Sequence, residues 1–113
     1  MIPRAKDKFF TLVKKLKQLT EQDKIRWGKS ADSDGYLFSF PNYSVLLHID
    51  AGIIYLDIYD ETGLLIDQTS RNELALEDLR LADDLTALYD TAKYQSLGVD
   101  KALDSILSNL DEF

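Results

Sequence analysis

Apolar residues recur first at a helical spacing. Phe9, Leu12, Val13, Leu16 and Leu19, with Ala5 a turn earlier, form one stripe, and Lys6, Lys8, Lys14, Lys15 and Lys17 fall outside it. A helix over residues 4–21 is expected, and Pro3 suits its start because the missing N–H would have had no partner there. Phe10 lies off the stripe. The period then shortens to two. Five strands are expected over residues 25–30, 36–40, 43–50, 53–60 and 64–69. Their links are turn-like: Asp32-Ser33-Asp34-Gly35, Pro41-Asn42, Ala51-Gly52 and Glu61-Thr62-Gly63. Links this short force antiparallel neighbours, so the sheet is a meander.

The turns set a register. Ala51-Gly52 as a two-residue loop places Ile49 opposite Ile54, Leu47 opposite Leu56 and Val45 opposite Ile58, all on one face. Pro41-Asn42 puts Phe38 opposite Val45 and Phe40 opposite Tyr43 on that same face. Glu61-Thr62-Gly63, with Gly63 left-handed, sets Ile58 against Ile66 and Asp57 against Asp67. Trp27 alternates inward with Ile25.

Helical spacing then returns. Ser70 and Glu73 have capping-box spacing. A helix or helix pair to about Tyr94 uses Leu74, Leu81, Leu85, Leu88, Tyr89 and Ala92, and Gly98 is a C-terminal stop. Asp100 is placed to cap a last helix carrying Leu103, Ile106, Leu107, Leu110 and Phe113 on one stripe. The pattern is α+β: an N-terminal helix, a five-stranded antiparallel meander, then two or three C-terminal helices packed on the sheet, in one domain over residues 1–113.

Composition narrows the chemistry. The chain has 113 residues and no cysteine, which removes disulfides, thiolate metal sites and cysteine catalysis. No signal-like leader and no membrane-length apolar run is present, so a cytoplasmic protein is expected. The net charge of −7 is unevenly spread. Residues 1–29 hold nine of the thirteen Lys/Arg, and residues 30–113 hold seventeen of the twenty Asp/Glu. Such an acidic body repels nucleic acid and attracts basic partners.

No nucleotide-binding glycine signature and no nucleophile elbow occurs. Asp32-Ser33-Asp34-Gly35 resembles part of a calcium loop, but the final ligand position falls on Pro41, and a turn explains it. Asn42-Tyr43-Ser44 matches a glycosylation pattern that a hairpin turn accounts for equally well. The face of the sheet opposite the core register carries Leu37, Ser39, Ser44, Leu46, His48, Tyr55, Asp57, Tyr59, Leu65 and Asp67. Tyrosines beside charges and isolated leucines are the composition of a protein-contact patch, and equally of a face covered by a helix.

The reading that follows is a non-enzymatic protein-interaction module, of the adaptor, inhibitor, antitoxin or immunity kind, without a cofactor or metal. Its surface is Leu37, Leu46, His48, Tyr55, Asp57, Tyr59, Leu65 and Asp67, and its partner is another protein, basic or nucleic-acid-binding. Direct contact with nucleic acid or membrane is not expected. Two alternatives stand beside it: an acidic mimic of nucleic acid, and a metal-assisted hydrolase built on Asp57, Asp67 and His48. Self-association through the last helix or an uncovered sheet face gives a homodimer as a third arrangement.

Overall fold

The computed structural model describes residues 3–30 and 35–113, with side chains from Asp7 onward in the first helix. The Asp32-Ser33-Asp34 part of the calcium-like turn lies outside the described residues, as does the side chain of Ala5. The order is α1 (Pro3–Glu21), β1 (Gly28–Lys29), β2 (Tyr36–Ser39), β3 (Tyr43–Asp50), β4 (Ile53–Asp60), β5 (Leu65–Ser70), α2 (Arg71–Glu77), α3 (Leu79–Leu97) and α4 (Val99–Leu110). The strands form one antiparallel sheet in sequence order, β1 to β5. The fold is thus an N-terminal helix, a five-stranded antiparallel meander and C-terminal helices packed on the sheet.

The core lies on the face that alternation marks as apolar. Val45, Leu47, Ile54 and Leu56 are buried there against Val13 and Leu16 of α1, Leu74 of α2, and Leu81, Leu85, Leu88 and Ala92 of α3. Each fully buried leucine contributes about 1.5–3 kcal/mol by leaving water. Edge-to-face contact between Tyr36 and Tyr89, with centroids 5.4 Å apart, ties the sheet to α3. Phe10, off the stripe in sequence, is half-buried and packs against this core.

Helix ends follow local chemistry. α1 stops in a Schellman arrangement: Lys24 N–H donates to the Leu19 carbonyl and Asp23 N–H to that of Thr20, with Asp23 left-handed at φ 60°. The Ser70 hydroxyl accepts from Glu73 N–H at 3.1 Å and starts α2. Asp78 breaks the helix pair and caps α3 by accepting from Arg80 N–H. Gly98, at φ 65°, ends α3 as expected.

Some expectations are corrected. The first strand is only Gly28–Lys29, because the chain before it is held by a side chain instead of a ladder. Trp27 N–H donates to Gln95 Oε1 at 3.3 Å, and Gln95 Nε2 donates to the carbonyls of Thr20 and Ile25. Trp27 is buried as anticipated, its Nε1–H on the buried Thr20 hydroxyl at 3.0 Å. Asp100 does not cap α4, which begins at Gly98 with no side-chain cap. Its carboxylate instead accepts from the Tyr94 hydroxyl.

The register of β2, β3 and most of β4 matches the turns: Leu47↔Leu56, Val45↔Ile58 and Phe38↔Val45 are all paired. The β4–β5 pair departs from it. The hairpin starts as expected at Tyr59↔Leu65, then a bulge inserts Ile66, giving Ile58↔Asp67, Asp57↔Gln68 and Leu56↔Thr69. Asp67 therefore does not face Asp57. Without the bulge, buried Leu56 would have met the Gln68 amide inside the core. With it, the small Thr69 sits there and Gln68 turns to the other face.

Candidate functional site

All helix–core packing is on one face of the sheet. The other face holds an open concavity of about 710 Å³, lined by strand and turn residues that include Leu37, Leu46, His48, Asp57 and Tyr59. No residue of α1 to α4 lines it.

At its floor is Asp57, only 3% exposed although it belongs to the uncovered face. Its position on β4 explains this. Leu46 of β3 and Gln68 of β5 stand directly opposite, Tyr59 lies two residues along the strand, and His48 lies diagonally across on β3. Three donors converge on the carboxylate: Gln68 Nε2 on Oδ1 at 2.7 Å, and Tyr59 Oη at 3.0 Å and His48 Nε2 at 2.8 Å on Oδ2. Because a carboxylate oxygen only accepts, His48 Nε2 is the donor of this bond. The imidazole stacks on Tyr55, its cross-strand partner, with centroids 5.3 Å apart and planes 14° off parallel. Among the described residues no buried side-chain polar atom lacks a partner, so the cluster is a satisfied network.

Burial, then the hydrogen bond to Asp57, then the charge of Asp57 hold the Tyr59 phenol above its usual ionisation range. On the rim, Asp60 closes the β4–β5 turn: its Oδ1 accepts from Thr62 Oγ1, Thr62 N–H and Leu64 N–H. The Thr62 hydroxyl and the Leu64 amide hold this carboxyl below the usual aspartate range.

Seven of the eight residues expected on this surface are on the face that alternation assigned to them. Leu37 pairs with Leu46, Ser44 with Tyr59 and His48 with Tyr55, and Leu65 opposes Tyr59. Asp67 is the exception: the bulge sets it against Ile58, a core-face residue, and its Oδ1 accepts from the adjacent Gln68 N–H. The Asp57–Asp67–His48 cluster is therefore not assembled, and among the described residues no three His, Cys, Asp or Glu stand where they could hold a metal ion. His48 and Asp57, diagonal neighbours on adjacent strands, are in direct contact at 2.8 Å. Gln68 was not recognised in sequence because it enters only through the bulge. Phe40 and Tyr43, assigned to the other face by alternation, border the concavity at the β2–β3 turn, while the Phe40 ring packs edge-to-face on that of Phe38 with centroids 5.0 Å apart. The Ser44 hydroxyl is 3.2 Å from that of Ser39, so the serine of this face is paired with another serine and not with His48.

The chain matches no family model, no curated protein and no solved structure. No helix among the described residues is long and apolar enough to cross a membrane.

Proposed function

We propose that this chain is a protein-binding module whose docking surface is the open face of its sheet, centred on Leu37, Leu46, His48, Tyr55, Asp57 and Tyr59. One observation carries the reading: the helices cover a single face, and the other is an aromatic and aliphatic concavity around a polar centre already fully bonded. A surface of this kind presents rings and leucines around a centre whose hydrogen bonds are already made, which lowers the ordering cost of association at that centre.

The test is site-specific photocrosslinking in the native cell. A photoreactive phenylalanine replaces Leu37 on the open face in one variant and Leu76, 87% exposed on α2, in another. A discrete adduct from position 37, absent at position 76 and lost on Tyr55→Ala, is expected. No adduct at position 37, or equal adducts at both positions, would refute the assignment.

A further inference from the structure

Among the described residues α1, α2 and α3 each bury apolar side chains in the core, and α4 buries none. Every residue from 100 to 113 is exposed. We infer that α4 is a self-association element, whose apolar stripe packs against the α4 stripe of a second copy of this chain across a two-fold axis. The pairing uses α4 alone and leaves the open face of the sheet free.

Spacing identifies the occupant. Leu103, Ile106, Leu110 and Phe113 recur at intervals of three and four residues, the seam of a two-helix coil, with Leu107 beside them. Such a seam is complementary to another helix of the same spacing, whose side chains enter the gaps between its own. Among the described residues the chain has no such helix to offer, because the apolar sides of α1 and α3 already lie in the core. A second α4 has the matching stripe. Need is set by length: a helix of 12 residues that buries nothing is marginal in water. Pairing supplies the burial that α4 lacks.

Area and charge agree with a second copy. Leu103 is 48% exposed, Ile106 54%, Leu107 59% and Leu110 57%, and Phe113 is fully exposed. Together they offer on the order of 600 Å² of surface, the upper end of the largest apolar patch on a typical monomer. Two such patches face to face bury about 1,200 Å², the lower bound of a specific interface, so a dimer of micromolar strength follows. Each copy carries a net charge of −7, so a self-contact must avoid the carboxylates. The stripe does so. At the helical 100° per residue, Leu103, Ile106, Leu107 and Leu110 fall within an arc of about 100°, and Asp100, Lys101 and Asp104 fall outside it. Asp100 is held by the Tyr94 hydroxyl of α3.

The test is sedimentation equilibrium of the full chain over a range of concentrations, where a monomer–dimer equilibrium is expected. Leu110→Gln keeps helix propensity and should weaken the dimer about a hundred-fold, because the two-fold axis removes the leucine twice. Its urea midpoint in dilute solution should match that of the native chain, since Leu110 is not buried in the single copy, which separates lost pairing from unfolding. Leu37→Gln, on the open sheet face, should leave the dimer intact. Deuterium exchange of α4 amides should slow as concentration rises and still precede that of α3, because dissociation re-exposes them. A chain that stays monomeric up to about 1 mM, a dimer that Leu110→Gln leaves unchanged, or one that Leu37→Gln abolishes would overturn the inference.

Discussion

Replacing Asp57 tests whether the floor of the concavity is a structural element or an electrostatic liability. Two effects oppose each other. A carboxylate 3% exposed has lost most of its hydration, and that desolvation opposes keeping a charge there. Against that, the side chain accepts three hydrogen bonds at 2.7–3.0 Å. Bonds to a charged group are worth about 1.5–3 kcal/mol each. The donors are only partly shielded, and Gln68 is exposed, so each can turn to water once released. The sum is therefore discounted to the low end, and Asp57→Leu should cost about 2–4 kcal/mol. Asp57→Asn keeps the shape and one acceptor oxygen, but its amide N–H meets donors. Tyr59 must rotate and His48 must change tautomer to accept, so about 1–2 kcal/mol is expected. The assay is urea unfolding followed by the fluorescence of Trp27, the only tryptophan. A loss of about 3 kcal/mol lowers the thermal midpoint by on the order of 10 °C or more for a chain this size. Unchanged or raised stability in Asp57→Leu would refute the reasoning, and would mark Asp57 as retained at a cost for what it contacts in a complex.

Four further outcomes follow from the same contacts. Thr20→Val removes the acceptor of the buried Trp27 indole N–H and should cost about 1–3 kcal/mol, measured by the same unfolding curves; no loss would mean another acceptor is within reach. Ala51 is left-handed at φ 50° ahead of Gly52 in the β3–β4 hairpin, so Ala51→Asn should stabilise by about 0.5–1 kcal/mol, checked by the urea midpoint. Asp60 has a lowered folded pKa, so its contribution is present above the ordinary aspartate value of about 3.9 and lost as pH falls through the lowered one. The thermal midpoint of Asp60→Asn should therefore lie below that of the native chain at neutral pH, and the gap should close on acidification; a gap independent of pH would contradict this. In α4 no residue is buried and Leu103, Ile106, Leu107, Leu110 and Phe113 remain exposed, so its amides should exchange with deuterium well before those of α3. Equal protection would show that the stripe is covered in solution.

Much of the architecture was legible in the chain, because the signals involved are local. A period of two states which residues share a face, and a turn states which residues stand opposite. Ala51-Gly52 and Pro41-Asn42 thus yielded the pairings of Leu47 with Leu56 and of Phe38 with Val45. Ser70 with Glu73, and Gly98, marked helix ends through backbone groups within four residues of each. The open face and its residues, apart from Asp67, were named by the same alternation.

Other features were decided between elements. The bulge at Ile66 reflects a contest between the turn, which sets Tyr59 against Leu65, and the core, which accepts Thr69 opposite Leu56 but not Gln68. Neither parity of β5 is cleanly apolar, so its sequence alone does not choose. That one-residue slip removed Asp67 from the site and brought Gln68 to Asp57. Burial of Asp57 likewise depends on side chains from β3, β4 and β5 closing over it, a distance in space that no spacing in sequence records. Whether a helix also covers the second face was open until the elements packed, since the mixed composition around Tyr55 and Tyr59 suits a covered surface as well as a bare one. The sequence by itself determined the faces of β2, β3 and β4 and the acidity of residues 31–70. The tertiary structure decided that the helices take one face only and that side chains from three strands close over Asp57 on the other, because both depend on contacts between elements far apart in the chain.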